Sequence, residues 1–205
     1  INSTAQANTL TTLTTADVDP SKLVVTGDQG LTITNALSAE ITTVDASAMT
    51  GVAGLTLSAA PGYATGITFM GGAGADAVTG TAGIDNVTGG AGNDTITMTA
   101  LAATDTIDGG DGADSLTGGS GNDVYLFNTN DVDSGESITE ASSGGTDAVT
   151  IVTTTDFANM SAASFDQIEQ IKFLGSAQTG TFTSTQLTGK TISLLETSTG
   201  TSNLI

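Results

Sequence analysis

The chain has 205 residues, only 4% of them aromatic and 12% charged, enough length for one sizeable domain or two small ones but little bulk for a thick core. Three Lys, no Arg and 22 acidic residues give a formal net charge of -19, which excludes nucleic acid as a partner and leaves the acids short of internal counter-charges. The absence of Cys, His, Trp and Arg removes Cys/His zinc sites, thiol nucleophiles, histidine-based triads and arginine phosphate clamps. A cysteine-free acidic chain is compatible with export. No run approaches the roughly 20 apolar residues of a membrane-spanning helix. The first ten residues, INSTAQANTL, lack both Met and a signal-like layout, so the chain is expected to be a piece of a longer protein.

The 27 glycines, with abundant Thr, Ala and Ser, favour thin β layers over large interdigitated side chains. From the N-terminus, LVVTG (23–27), LTITNA (31–36), EITTVDAS (40–47), LTLSA (55–59) and ITFM (67–70) read as short strands separated by turn residues, spaced as in a β-solenoid.

From Gly71 the chain falls into nines: GGAGADAVT (71–79), GTAGIDNVT (80–88) and GGAGNDTIT (89–97). Met98 and Thr99 interrupt, and the frame resumes as ALAATDTID (100–108), GGDGADSLT (109–117) and GGSGNDVYL (118–126). Every unit has Asp at position six, and position eight is always apolar: Val78, Val87, Ile96, Ile107, Leu116 and Tyr125. GYATGITFM (62–70) is a degenerate forerunner with Phe69 at position eight. Thirteen of the acids lie between Asp76 and Asp147, where no Lys or Arg occurs, so cations must neutralise this stretch.

These units resemble the GGxGxDxUx nonapeptide repeat of RTX proteins, a calcium-binding parallel β-roll. The resemblance covers residues 71–126; the unit from Gly80 has Thr81 at its second position, and the unit from Ala100 has lost its glycines. It implies an all-β fold, a parallel β-roll or β-solenoid with several Ca²⁺ ions in its Gly/Asp-rich turns. The residues support that reading. Gly at positions one, two and four permits positive φ and inward-facing carbonyls. Calcium wants six to eight oxygens, more than one short turn offers, so stacked turns share each ion. The candidate metal-binding residues are Gly72, Gly74, Asp76, Asp85, Gly90, Gly92, Asp94, Asp105, Gly110, Gly112, Asp114, Gly119, Gly121 and Asp123, with Asp108 and Asp111 as possible additions.

Because turn and strand alternate, one coil takes two units. This predicts one column of Asp76, Asp94 and Asp114 and a second of Asp85, Asp105 and Asp123, the second weaker because the turn around Ala102 lacks glycine. Of the last three positions of each unit, which form a short strand, only position eight faces the interior. VYLF (124–127) is continuously apolar and predicts a strand covered on both faces.

Downstream, SGESITEASSGGTDAVTI (134–151) resembles the stretch that follows RTX repeats, which makes Glu136, Glu140 and Asp147 either further ligands or parts of a solvated acidic loop. IEQIKFL (168–174), GTFTS (180–184) and KTISLL (190–195) alternate as strands, ASFDQ (163–167) starts a helical turn, and ETSTGTSNLI (196–205) carries no structural signal. The expected organisation is therefore 1–70, solenoid-like without the calcium pattern; 71–127, calcium β-roll; and 128–205, a β cap.

Other chemistries fit less well. Phosphate-cradling glycine loops also use Lys and a following helix, while these carry Asp. Paired acids can hydrolyse glycosides, but here they form a periodic column instead of a cleft. EF-hand spacing is absent. The segment TTVDASAMTGVAGLTL (42–57) resembles stretches of bacterial surface-layer proteins that carry RTX repeats. The expected role is non-enzymatic: a calcium-binding structural region of a secreted surface-layer protein, at the bacterial cell surface, with self-association into a lattice and a cell-surface glycan as candidate partners. The alternative is the C-terminal RTX folding and type I secretion module of a larger exported enzyme or adhesin.

Overall fold

The computed structural model describes residues 2–3, 8–10, 21–34, 37, 40–58, 65–98, 103–142, 144–197 and 201–205. Among these residues nearly all regular structure is short, parallel β-strand, arranged in sheets of ten, seven and three strands. The chain winds between the two large sheets: each strand pairs with the next but one in sequence, so one coil contributes one strand to each sheet. The fold is an all-β parallel β-solenoid. No described helix is long and apolar enough to cross a membrane.

Period-two patterning positions the strands. In Ala75–Thr79 the side chains alternate, with Asp76 and Val78 buried and their neighbours half-buried or exposed. Parallel register then stacks like on like. One interior file runs Leu57, Val78, Ile96, Leu116 and Ile138, and the facing file runs Leu23, Val44, Phe69, Val87, Ile107, Tyr125, Val149 and Ile171, all buried. These include every position-eight residue of the nonapeptides, and Phe69 of the degenerate unit.

The ten-stranded sheet extends from Asn2–Ser3 to Ser193–Glu196 without a break at residue 70 or 127. Beyond Phe127 the interior thickens: Phe127, Phe157, Phe165 and Phe182 form an aromatic cluster with ring centroids 4.6–6.0 Å apart. Low average aromatic content hid this cluster, because four of the chain's six phenylalanines converge there.

Three local expectations are corrected. Val124–Phe127 is not covered on both faces: Tyr125 and Phe127 are buried, while Val124 and Leu126 are only half-buried, as an ordinary alternating strand requires. The C-terminal tail has structure, since Asn203–Leu204 pairs with Thr179–Thr181 and extends the three-stranded sheet. Ser184, read as the end of the strand GTFTS, instead starts one helical turn, Ser184–Leu187. Gln186 accepts a bond from the Thr183 amide at 2.7 Å and donates to the carbonyls of Phe157 and Met160 at 2.6 and 2.8 Å. The T-x-x-Q spacing of a capping box was its sequence signal. The expected helical turn after Ala163 does form, as a 3₁₀ segment over Ala162–Phe165.

Candidate metal centre

Five of the six nonapeptide Asp residues stand just before their strands and Asp76 is the second residue of Ala75–Thr79; all six are buried. The structure stacks these acids in two columns along opposite edges. In the first, the Asp76 amide donates to Asp94 Oδ1, the Asp94 amide to Asp114 Oδ1, and the Asp114 amide to Glu136 Oε2, each at 2.7 Å. In the second, the amides of Asp85, Asp105 and Asp123 donate at 2.8 Å to Asp105, Asp123 and Asp147, and the Asp147 amide donates to Glu169 Oε2 at 2.9 Å. Every acid thus holds the preceding coil in register through one oxygen.

Glu136 and Asp147 are therefore column members, the positions of Glu136-x-Ile138 and Asp147-x-Val149 matching Asp114-x-Leu116 and Asp123-x-Tyr125. Glu169 was missed. Its signal was the same acid-x-apolar step, Glu169-x-Ile171, spaced 22 residues from Asp147 and masked by the intervening 3₁₀ turn.

The second carboxylate oxygen separates the coils into two kinds. Asp76 and Asp85 have both oxygens engaged. Asp76 accepts from the amides of Leu55 and Gly72; Asp85 accepts from the Ile67 amide, and from the Thr81 amide and hydroxyl at 2.7 and 2.8 Å. Asp94, Asp105, Asp114 and Asp123, all at most 1% exposed, each leave Oδ2 without a hydrogen-bond partner. Glu136 Oε1, Glu140 Oε2 and Asp108 Oδ1 are likewise buried and unpartnered. A bare buried carboxylate oxygen is costly, and a hard cation with an appetite for oxygen removes the cost. The donor set therefore fits calcium.

The glycines make this packing possible in two ways. Gly90, Gly92, Gly110 and Gly112 have φ between +91° and +138°, where a side chain is strained. The first-position glycines do not need positive φ. A Cβ on Gly89 or Gly109 would instead lie 2.1–2.2 Å from Oδ2 of Asp94 or Asp114, filling the space beside the unpartnered oxygen. Gly72, Gly74 and Gly121 also lack positive φ and are required by the close approach of neighbouring backbone carbonyls, at 1.7–2.7 Å from a built Cβ. Gly119 has φ +95°. Asp111 is exposed at the rim of the turn, and Asp108 stands where the paired strand has Thr88. The Ala102 turn, on which the expected weakness of the second column rested, lies outside the described residues.

Burial dominates the electrostatics. It pushes the carboxyls of Asp94 and Asp105 up to about 7 and those of Asp108, Asp114 and Asp123 up to about 6. Glu136 rises to about 9 and Glu140 to about 8, again chiefly through burial. Neighbouring carboxylates add to these increases, while hydrogen bonds accepted from amides oppose them. A divalent cation supplies the missing positive charge and holds the acids ionised.

A family model for the RTX calcium-binding nonapeptide repeat (4 copies) matches residues 70–98 and 97–125. Residues 70–125 are RTX calcium-binding repeats. Their buried aspartates fit several Ca²⁺ ions, for which Asp94, Asp105, Asp114 and Asp123 supply the carboxylate oxygens and the intervening glycine turns the room. Bound calcium would neutralise the columns and join successive coils. No curated protein and no solved structure matches the chain.

Proposed function

We propose that the chain is a calcium-dependent structural region of a secreted bacterial surface-layer protein, which folds and assembles when it meets calcium outside the cell. RTX repeats are typical of secreted bacterial proteins. The observation that carries the finer reading is continuity. The RTX coils sit within one ten-stranded sheet, flanked on both sides by coils of the same winding, so calcium would stiffen the middle of a single solenoid. Extracellular modules bind calcium with dissociation constants of about 10⁻⁴ to 10⁻³ M, so a calcium-poor cytosol leaves the columns mutually repelling and the repeat unfolded. Outside, free calcium at tenfold the dissociation constant contributes about 1.4 kcal/mol per site, and shared turns make neighbouring sites cooperative. In this reading the partners are calcium, further copies of the protein in a lattice, and a cell-surface glycan as anchor. The chain itself performs no catalysis.

A second reading, a folding and type I secretion module of a larger exported enzyme or adhesin, is favoured by the confinement of the family match to 70–98 and 97–125. Calcium titration of the EDTA-stripped chain separates the two, with far-UV circular dichroism and light scattering followed together and the end point imaged by electron microscopy. β-structure gained together with ordered sheets or filaments supports the lattice protein. The same gain in a persistent monomer supports the module, and no calcium response overturns both.

A further inference from the structure

Beyond the last nonapeptide, three carboxylates meet that no single turn supplies. Asp123 closes the final repeat, Asp147 begins the strand Ala148–Ile151 of the same sheet, and Glu140 ends the strand Ser137–Glu140 of the opposite sheet. One oxygen from each lies within 4.8 Å of the others. Calcium–oxygen bonds of 2.3–2.6 Å allow two ligands of one ion to stand up to about 5 Å apart, so a single ion can touch all three.

Further observations show that the gap is built for a cation. Asp123 is fully buried, and its Oδ2 and Glu140 Oε2 have no partner, while Asp123 Oδ1 accepts from the Asp105 amide in the column. Tyr125, also fully buried, donates its hydroxyl to Glu140 Oε1, which fixes the glutamate while leaving the other oxygen open. Gly118 keeps the space clear: a Cβ there would fall 2.2 Å from Glu140 Oε1, 2.4 Å from the Tyr125 hydroxyl and 2.8 Å from Asp123 Oδ2. Tyr125 is the one aromatic residue at position eight of the six nonapeptides, and it stands where its hydroxyl reaches Glu140.

We propose that Asp123, Glu140 and Asp147 form a terminal calcium site, positioned by Tyr125 and outside the nonapeptide pattern, that ties the two sheets together where the repeats meet the downstream coils. The proposal rests on the calcium reading of the repeats, whose second column Asp123 closes. The ligand is a hard divalent cation of calcium's size. Its neutralisation of three carboxylates joins the ordering of the downstream coils to that of the repeats.

The test uses the 205-residue chain with Tyr63 replaced by Phe, so that Tyr125 is the sole tyrosine donor for terbium, an oxygen-seeking calcium surrogate, in a chain without Trp. Calcium stoichiometry is measured by equilibrium dialysis, and tyrosine-sensitised terbium emission by titration. Glu140→Gln keeps an acceptor for the Tyr125 hydroxyl but removes a charge. It is expected to lose one calcium ion per chain and at least half of the terbium emission, while still gaining β-structure with calcium. Should that variant fail to fold, Tyr125→Phe with Glu140→Ala removes the carboxylate together with the hydroxyl it would strand, and must lose the same single ion. An unchanged calcium count in the variant that folds overturns the terminal site and leaves the repeat sites standing. A parent chain that binds no calcium overturns the calcium reading as a whole.

Discussion

The coils before Gly71 and those after it share one winding but fill the same position with opposite chemistry. Leu55 and Ile67, both buried, occupy the place that the next coil gives to Asp76 and Asp85. Upstream, an apolar side chain closes the coil's edge at no electrostatic cost. In the repeats a carboxylate does so, gaining an acceptor for the neighbouring amide but bringing a charge that the solenoid cannot neutralise. Asp45, an upstream acid with a counter-charge, shows the difference: Lys22 at 2.7 Å holds its carboxyl down at about 2, whereas burial drives Asp94 up to about 7. The acid calls for a cation where its second oxygen is left unpartnered, as in Asp94, and the coil of Asp76 and Asp85, whose oxygens are all engaged, is the join between the two regimes.

Removing calcium breaks this comparison most severely. At tenfold excess over the dissociation constant, each site contributes about 1.4 kcal/mol, and several sites together contribute several times that. Amide exchange in EDTA should therefore rise steeply across Asp94–Asp123 while the strands Thr43–Met49 and Ala53–Ser58 retain protection; uniform loss along the chain would show that the two regions do not differ as argued.

Acid should partly replace the ion. Groups whose carboxyl values rise on folding stabilise the metal-free fold below their unfolded value near 4, and that contribution is lost as pH climbs through the folded value. The window runs from about 4 to about 7 for Asp94 and Asp105, and to about 9 for Glu136. In EDTA the melting temperature should be higher at pH 4.5 than at pH 8. In saturating calcium the order should reverse, because protons compete for the same oxygens.

Substitution within the columns gives a smaller and sharper contrast. Asp94→Ala strands the Asp76 amide, costing about 1–3 kcal/mol, and should lose at least one bound ion. Asp85→Ala also removes acceptors but no unpartnered oxygen, so isothermal titration should find the calcium count kept. The smallest effect is expected from Thr81→Val, which deletes the hydroxyl's bond to Asp85 and the one it accepts from the Gly83 amide. A loss of about 1–2 kcal/mol in denaturant unfolding, with unchanged calcium affinity, is the expected result.

Much of this architecture was legible because the nine-residue period reports position six and position eight together. It gave the pairing of Asp76 with Asp94 and the interior file through Tyr125 without any structure. Irregular insertions obscured the rest. Glu169 continues the second column, yet the 3₁₀ turn and aromatic cluster between it and Asp147 conceal the spacing. Periodicity also could not distinguish Asp85 from Asp94, since their difference lies in whether the position-two backbone amide reaches Oδ2, as that of Thr81 does for Asp85 at 2.7 Å, and the residue letter does not report an amide's direction. Nor could it separate the glycines that need positive φ from those that make room, because both are written with the same letter.

The columns of acids also have a direction. Each amide is satisfied by a carboxylate that lies 18 to 24 residues later in the chain, never earlier. A solenoid growing from its N-terminal side therefore always carries one amide per edge awaiting its acceptor. One growing from its C-terminal side lays every new coil onto oxygens already in place, so the two ends of the same rod are unequal as templates for winding.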